Sequence, residues 1–314
     1  MALDPAELGR RLRERDRSAA PAALNVIENR SDREARAALL AEVTPVALGG
    51  EAPAQIVGLT GPPGAGKSSL LSRLVAHWRG AGRSVAVLAV DPSSKRSGGA
   101  LLGDRVRIEH DPRDDAVLIR STAAGNRLGG LAAATREGVD ALAPAFDVVV
   151  IETVGVGQSE TDVEDVSDTT AVIVQPGSGD VLQFLKAGIM EVPDVLVVTK
   201  ADLGDVAAQS RRELVQALAA VGSSEVRVMT VSSVSPPSGI EDLAAALDDH
   251  HRSLDLPERR PRARRAAALR EFTAEHGDAG LRALGGRRAA ERLLAAQEPG
   301  TSVNELIAAL EEEL

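Results

Sequence analysis

The sequence predicts an α/β fold in which a mostly parallel central sheet is flanked by helices, preceded by a helical segment and followed by a helical arm. Short apolar runs rich in Val, Ile, Leu and Ala recur between residues 55 and 231, and segments with helical spacing separate them. This alternation favours parallel strands joined by helical crossovers. Most of the runs are continuously apolar, which is typical of strands that are covered on both faces.

The predicted strands follow one another along the central part of the chain. They are residues 55–60, 84–90, 116–120, 146–151, 171–174, 195–199 and 226–231. Helical spacing between them predicts helices that include residues 68–78, 131–142 and 206–220. Ligands of such a sheet bind at the carboxyl ends of the strands, so we expect the functional residues in the loops that follow each run.

The sequence divides into three predicted zones: an N-terminal helical segment at residues 1–48, a central domain at 49–256 and a C-terminal helical arm at 257–314. In the first zone, residues 31–34 have the form of a capping box that opens a helix through Ala41. Pro45 is expected to end this zone together with the two glycines that follow it.

The C-terminal zone begins with a basic run at residues 259–265. Because the protein is acidic overall, we interpret this run as a solvated linker and helix start rather than a nucleic-acid site. A second capping box predicts a final helix whose apolar residues share one stripe. These residues are Leu306, Ile307, Leu310 and Leu314. An apolar face beyond a complete α/β domain predicts an arm for dimerisation or for binding a partner.

Composition limits the possible partners and compartments. The chain has a net charge of −10, no Tyr and one Trp, which argues against DNA or RNA as a main partner. It has no Cys, which excludes disulfides and thiolate metal sites and fits a reducing compartment. The charged N-terminus lacks an apolar signal segment, and no long apolar run predicts a membrane span. We therefore expect a cytoplasmic protein.

A glycine-rich motif follows the first predicted strand. Residues 61–68 read GPPGAGKS and fit the pattern G-x-x-x-x-G-K-[ST], between a β-prone run and a helical one. In this context the backbone N–H groups form a nest for phosphate at the positive end of a helix. Lys67 would reach the β- and γ-phosphates, and Ser68 would give its hydroxyl to Mg²⁺. The predicted nucleotide-binding residues of this phosphate-binding loop are Gly61, Pro63, Gly64, Ala65, Gly66, Lys67, Ser68 and Ser69.

Acidic residues mark two other predicted strand ends. Asp91 follows the second strand, where a carboxylate can orient a water or a metal-bound water. Glu152 follows the fourth strand, where a carboxylate would hold Mg²⁺ or its water shell, and Gly155 is placed to donate its N–H to a γ-phosphate. Asp104 lies in a polar, glycine-rich stretch of the kind that a γ-phosphate sensor needs.

A T-K-x-D sequence follows the sixth predicted strand and is similar to the guanine-reading element N-K-x-D. Asp202 would accept hydrogen bonds from the guanine N1–H and amine, a pairing that adenine cannot offer, while the Lys200 stem packs along the base. Thr199 stands where Asn is expected, and we expect this change to weaken nucleotide affinity or P-loop contacts by about 1 kcal/mol. Ser232 and Ser233 follow the last strand, where backbone donors to the guanine carbonyl are expected.

Taken together, these stretches closely resemble the MeaB/ArgK-type P-loop GTPases, the bacterial counterparts of the human methylmalonic aciduria type A protein. The likeness spans nearly the whole chain, although Thr199 departs from it. The matching stretches are residues 24–29, 61–69, 90–94, 96–105, 151–160, 175–180 and 187–191.

The resemblance implies a GTPase chaperone for an adenosylcobalamin-dependent acyl-CoA mutase, either methylmalonyl-CoA mutase or a close relative such as a hydroxyisobutyryl-CoA mutase. GTP hydrolysis would gate cofactor loading and protect the mutase. Mg²⁺ and GTP or GDP would bind this chain, whereas adenosylcobalamin would belong to the partner. The resemblance also implies a homodimer formed through C-terminal helices.

The resemblance assigns roles to particular residues as well. Lys67 and Ser68 would hold phosphate and Mg²⁺. Asp91, Asp104 and Glu152 would organise the metal and the attacking water, with Asp104 on a switch loop. Residues 175–190 would form an additional switch through which the partner influences hydrolysis.

Several alternatives remain open at this point. Hydrolysis is expected to be slow without a partner because no cis arginine finger or catalytic Gln is evident, with Arg105 and Gln158 left as candidates. A P-loop kinase is a second interpretation, although T-K-A-D favours guanine. Nickel or zinc delivery is disfavoured by the absence of Cys and the presence of only five His. A nucleotide-binding scaffold with little turnover is a further alternative.

Overall fold

The computed structural model describes residues 4–29, 31–48, 54–91, 108–123, 133–153, 163–177, 193–220 and 222–314. The chain divides into two compact units. One unit comprises Ala54–Val139 and Phe146–Leu254. The other comprises Met1–Pro53, Asp140–Ala145 and Asp255–Leu314.

Strands and helices alternate through the unit that begins at Ala54, as the sequence predicts, whereas the described elements of the other unit are helices. In chain order, the elements are α1 (Pro5–Arg13), α2 (Ala20–Glu28), α3 (Arg33–Leu48), β1 (Gln55–Thr60), α4 (Lys67–Gly80), β2 (Val85–Asp91), β3 (Val117–Ala123), α5 (Ala133–Leu142), β4 (Val148–Thr153), β5 (Thr169–Val174), β6 (Val195–Val198), α6 (Asp205–Ala220), β7 (Arg227–Thr230), α7 (Ile240–Ser253), α8 (Leu256–Ala283), α9 (Arg287–Ala295) and α10 (Val303–Glu311).

The seven strands form one sheet in the order β3-β2-β4-β1-β5-β6-β7, and every pairing in it is parallel. The predicted α/β class and all seven predicted strands are therefore confirmed. Because β1 lies between β4 and β5, the loop after β1 emerges beside the ends of both neighbours. The register pairs Leu59 of β1 with Glu152 of β4, which brings the acidic strand end level with the start of the glycine-rich loop.

Alternate residues of the strands supply two apolar layers in this unit. Val57 and Leu59 of β1 pack with Leu70 and Leu74 of α4 and with Leu243 of α7. On β5, successive residues divide between two clusters, which gives the period of two expected of a strand covered on both faces. The second cluster joins β5 and β6 to α6 through Val174, Val198, Leu214 and Leu218, among others.

The second unit is helical in its described residues. The C-terminal helices α8, α9 and α10 share a core of their own, built on Phe272, Leu294, Leu306 and Leu310. The predicted stripe on the last helix is thus covered within the chain at Leu306 and Leu310, whereas Leu314 is 54% exposed. The capping box that begins α10 is confirmed, with the Ser302 hydroxyl accepting from the Glu305 N–H and the Glu305 carboxylate accepting from the Ser302 N–H.

Two local predictions for the N-terminal segment are wrong. The cap of α3 is Asp32, whose carboxylate accepts from the Ala35 N–H, while Ser31 donates its hydroxyl to Asn29. The helix also continues through Pro45 to Leu48 instead of ending near Ala41. Burial of apolar residues on the last turns of α3, such as Val43 and Ala47, outweighs the backbone hydrogen bond that proline cannot donate.

The basic run at residues 259–265 is not the solvated segment that we expected. Arg260 is 7% exposed and donates to the Ala47 carbonyl at 2.6 Å. Arg264 is paired with Asp140 at 2.7 Å, and both side chains are largely buried. These arginines therefore hold the helical unit together. Within the described ranges, no helix combines the length and apolar character needed to cross a membrane.

Candidate nucleotide site

The loop between β1 and α4 has the backbone that the glycine-rich motif predicts. Gly61 has a φ of 142°, and a Cβ there would lie 2.2 Å from the Ile173 carbonyl oxygen, so only glycine allows this close approach to β5. Gly66 has a φ of 91° and directly precedes the first turn of α4. Gly66 offers no side chain to cap the helix, and the N–H groups of that turn lie at the positive end of α4, where an anion binds favourably. Pro63 and Gly64 lie exposed at the tip of the loop, and Ser69 is exposed on the first turn of α4.

Lys67 is the first residue of α4, and its side chain turns back over the loop. It is only 7% exposed, and its Nζ donates to the carbonyl oxygens of Gly61 at 2.6 Å and Pro62 at 3.1 Å. The ammonium group therefore lies against the backbone of the loop that is predicted to form a nest of N–H groups. The two carbonyls are neutral acceptors, and a phosphate oxygen would give a stronger, charge-assisted hydrogen bond.

Ser68 and Glu152 meet at the end of the sheet. The Ser68 hydroxyl donates to Glu152 Oε1 at 2.7 Å, and Glu152 is only 6% exposed. The neighbouring strand ends are tied together by the Thr153 hydroxyl, which donates to the Thr60 hydroxyl at 2.9 Å. A serine hydroxyl and a buried carboxylate oxygen thus lie side by side, next to the phosphate-binding loop.

Thr199 follows β6 and reaches the same loop from the other side. Its hydroxyl donates to the Ala65 carbonyl at 2.6 Å, with the Val174 carbonyl also within 3.3 Å. A hydroxyl therefore contacts the backbone of the P-loop at the position where an amide was expected. The expected loss of affinity from having Thr in place of Asn stays a prediction.

Lys200 adopts a left-handed backbone conformation with a φ of 53°. Its Nζ donates to Gln175 Oε1 at 2.8 Å. Gln175 directly follows β5, so the loop after β6 is tied to the loop after β5. Gln175 lies in one of the stretches that resemble the family, but no sequence pattern indicates its contact with Lys200.

Asp202 lies exposed in a short 3₁₀ turn, and its carboxylate accepts from the Ser232 hydroxyl at 2.6 Å. Ser232 is buried, and its backbone N–H donates to Ser238. The Ser232 N–H therefore already has an acceptor within the protein. The Ser232 side chain, and not its backbone, contacts Asp202, the residue predicted to read the base. The Ser233 carbonyl accepts from Arg73 Nε at 3.0 Å, a contact that no sequence pattern indicates.

The remaining predicted residues are placed only in part. Asp91 is the last residue of β2, at the same edge of the sheet as Glu152, and the structure describes its backbone alone. Asp104 and Gly155 lie outside the described residues, as do the predicted switch loop at 96–105 and residues 178–190 of the second predicted switch.

Other described residues that could bind a metal do not lie at this edge of the sheet. His250 contacts Asp194 at 3.2 Å and Thr169 at 2.9 Å, at the opposite, amino ends of the strands. In the described part of the chain, one group of three potential ligands is found, on the C-terminal helices: Glu275, His276 and Glu311. Its two carboxylates are exposed, and the contact of 3.1 Å between His276 and Glu311 accounts for the arrangement.

Comparisons with known proteins identify the kind of protein that carries this site. A family model described as "Methylmalonyl Co-A mutase-associated GTPase MeaB" matches residues 20–281. A protein of Pyrococcus abyssi that is provisionally designated a GTPase is 45% identical over 197 residues, which are 62% of this chain and 59% of that protein. A Caenorhabditis elegans protein named as a mitochondrial methylmalonic aciduria type A homolog is 45% identical over 157 residues, which are 49% of this chain and 39% of that protein.

A solved structure described as a LAO/AO transport system kinase matches nearly the whole chain. It has a TM-score of 0.67 and 30% sequence identity, and the match covers 98% of this chain and 96% of the other. By contrast, the chain spans only about three fifths of the length of the Pyrococcus relative.

Proposed function

Because the chain belongs to the MeaB family of methylmalonyl-CoA mutase-associated GTPases, we propose that it hydrolyses GTP and serves as a chaperone for an adenosylcobalamin-dependent acyl-CoA mutase. GTP binding and hydrolysis would gate the loading of adenosylcobalamin into the mutase and protect the enzyme from inactivation. Methylmalonyl-CoA mutase is the first candidate partner, since the family description names it. A mutase acting on a related acyl-CoA ester, such as hydroxyisobutyryl-CoA, is the next.

One observation carries the GTPase proposal: Lys67, Ser68 and Glu152 converge at the carboxyl edge of the sheet beside the left-handed Gly66. The buried ammonium and the N–H groups at the positive end of α4 supply a site that suits a phosphate. The Ser68 and Glu152 oxygens supply hard ligands beside it.

The donor set fits a magnesium ion. Mg²⁺ prefers oxygen ligands, and a hydroxyl and a carboxylate are both of this type. The Ser68 hydroxyl and the buried Glu152 carboxylate lie next to each other at the end of the sheet. Ser68 would hold the ion directly, and Glu152 would hold it directly or through its water shell. The ion would neutralise charge that develops on the phosphates.

The residues of the chain then have separate tasks in hydrolysis. Lys67 would exchange its two carbonyl acceptors for the β- and γ-phosphate oxygens and stabilise their charge. Asp91, Asp104 and Gly155 are proposed to orient the attacking water and to respond to the γ-phosphate. Turnover by the chain alone is expected to be slow, and charge stabilisation supplied by a partner accelerates other GTPases by roughly 10³–10⁵.

The base end of the site supports guanine. Asp202 presents a carboxylate, which can accept from both the N1–H and the amine of guanine. Adenine does not offer this pair of adjacent donors. The Ser232 hydroxyl holds one carboxylate oxygen by a hydrogen bond of 2.6 Å, which fixes the direction in which Asp202 can accept. This feature weighs against the kinase interpretation that the description of the similar solved structure suggests.

We further propose that the protein works in the cytoplasm as a homodimer formed through its C-terminal helices. The exposed Leu314, at the end of the chain's last apolar stripe, supports a contact surface there. Residues 175–190 are proposed as the segment through which the mutase influences hydrolysis.

The proposal is tested by measuring phosphate release from GTP with Mg²⁺, alone and with purified methylmalonyl-CoA mutase or a related acyl-CoA mutase. We expect slow hydrolysis by the chain alone and a clear acceleration by one of the mutases. Hydrolysis that no mutase accelerates would contradict the chaperone role. Phosphate transfer from ATP, without GTP hydrolysis, would favour the kinase.

A further inference from the structure

Thr199 departs from the guanine-reading pattern, and the structure shows what the departure does. The side chain is 3% exposed and points at the backbone of the phosphate-binding loop. Its hydroxyl lies 2.6 Å from the Ala65 carbonyl and 3.3 Å from the Val174 carbonyl. A threonine hydroxyl has one proton to donate, and the shorter contact with Ala65 takes it.

The Ala65 carbonyl lies just outside the hydrogen-bond ladder of α4. The first bond of that helix runs from the Leu70 N–H to the Gly66 carbonyl, so the carbonyl one residue earlier needs a donor from elsewhere. Ala65 is fully buried, which makes such a donor matter more. Thr199 supplies it from the end of β6, and the Thr199 N–H is itself fixed by the Val174 carbonyl at 3.0 Å.

Ala65 is flanked by two glycines with positive φ, Gly64 at 76° and Gly66 at 91°. Glycine gives a loop conformational freedom and therefore a larger entropy cost when a ligand orders it. A side chain that pins the carbonyl between these glycines holds the loop in its phosphate-binding shape before the ligand arrives. Such preorganisation raises affinity without adding any contact to the ligand.

We propose that Thr199 is a positioning residue for the phosphate-binding loop, and that its hydroxyl sets the affinity for the diphosphate part of the nucleotide without affecting the choice of base. The inference rests on the proposed function, since it requires a guanine nucleotide in this site. Base choice would lie with Asp202, whose carboxylate accepts from the Ser232 hydroxyl.

The test is calorimetric titration of GDP and of IDP, in Mg²⁺, into the unchanged protein, Thr199→Val and Thr199→Ser. Valine keeps the shape of threonine but has no hydroxyl, whereas serine keeps the hydroxyl. We expect Thr199→Val to bind both nucleotides about three- to tenfold more weakly, as expected for one lost hydrogen bond. IDP lacks the exocyclic amine, so the ratio of its Kd to that of GDP reports the contact with Asp202, and this ratio should stay constant. Thr199→Ser should bind within about twofold of the unchanged protein.

Thr170→Val is the matched control. Thr170 is also fully buried, and its hydroxyl lies 2.9 Å from that of Ser167, at the amino end of β5. The Thr170→Val substitution should lower the thermal stability of the protein without changing its Kd for GDP. If Thr199→Val does not fold, Thr199→Cys replaces it, because a thiol keeps the volume but is only a weak donor, and it should again weaken binding.

The outcomes separate the two claims. Unchanged GDP binding by the valine or cysteine variant would overturn the role of Thr199 while leaving the GTPase proposal intact. A changed ratio of IDP to GDP affinity would overturn the division between phosphate affinity and base choice. If the unchanged protein binds neither nucleotide, the proposed function fails and this inference fails with it.

Discussion

Ser68 Oγ and Glu152 Oε1 are 2.7 Å apart although the two residues are 84 positions apart in the sequence. The parallel pairing of β1 with β4 brings them together, since Leu59 lies level with Glu152 and the loop after β1 returns to the same edge. A hydroxyl and a buried carboxylate that meet in this way form the inner side of the proposed magnesium site.

The first prediction follows from this pair. Ser68→Ala and Glu152→Gln should each raise the Mg²⁺ concentration needed for half-maximal GTP hydrolysis by about tenfold or more. Because both residues would hold the same ion, the loss of Mg²⁺ affinity in the double variant should be much smaller than the sum of the losses in the two single variants. Ser72→Ala is the control, since Ser72 lies one turn later on α4 and its hydroxyl contacts Ser68 and Glu109 backbone atoms. Strictly additive losses of Mg²⁺ affinity would mean that Ser68 and Glu152 do not act together on one ion.

The second prediction concerns Lys67. Lys67→Ala should weaken GDP binding by about 10- to 100-fold, because a charge-assisted hydrogen bond to phosphate is lost from a buried position. Calorimetric titration measures the affinity, and thermal unfolding establishes that the variant is folded. A folded variant that binds GDP with unchanged affinity would exclude Lys67 from phosphate binding.

The third prediction concerns the base. Asp202→Asn should lower the affinity for GDP at least tenfold and raise the affinity for XDP, because the amide can donate to the additional carbonyl of xanthine where the carboxylate cannot. Asp205→Asn is the matched control, an exposed acidic residue in the first turn of α6. The two nucleotides are titrated against each variant. Equal loss of both would mean that Asp202 does not read the base edge.

The fourth prediction concerns the C-terminal helices. Leu310 is fully buried in the core shared by α8, α9 and α10, so Leu310→Ala should lower the free energy of unfolding by about 2–5 kcal/mol. Leu314→Ala should change it by less than about 0.5 kcal/mol, since that side chain is 54% exposed. Denaturant unfolding compares the two. Equal stability of both variants would contradict the packed core of this arm.

Sequence periodicity was sufficient for the sheet, because strands buried on both faces leave continuous apolar runs. It placed the ends less well: β4 begins at Val148 rather than at residue 146, and β3 continues to Ala123. The P-loop was readable because its shape depends on local glycines and a fixed spacing. The contacts that complete the site were not readable, since Thr199 with Ala65 and Lys200 with Gln175 join distant loops.

Charge was misleading where tertiary packing decided the outcome. Arg260 and Arg264 belong to a run that composition alone makes a solvated surface, yet they reach the Ala47 carbonyl and Asp140 within the helical unit. The cap of α3 was missed for a smaller reason. Ser31 and Asp32 are both good caps, and the choice between them depends on where the chain turns after Asn29.

Titration calorimetry of the unchanged protein with GDP and with ADP, in Mg²⁺, decides whether this chain is the guanine-nucleotide switch that we propose. Lys67→Ala in parallel ties any binding to the phosphate-binding loop. We expect clear binding of GDP by the unchanged protein, no detectable binding of ADP, and GDP binding that is about 10- to 100-fold weaker in the variant. Equal or stronger binding of ADP would contradict the role of Asp202 and return the kinase interpretation to first place.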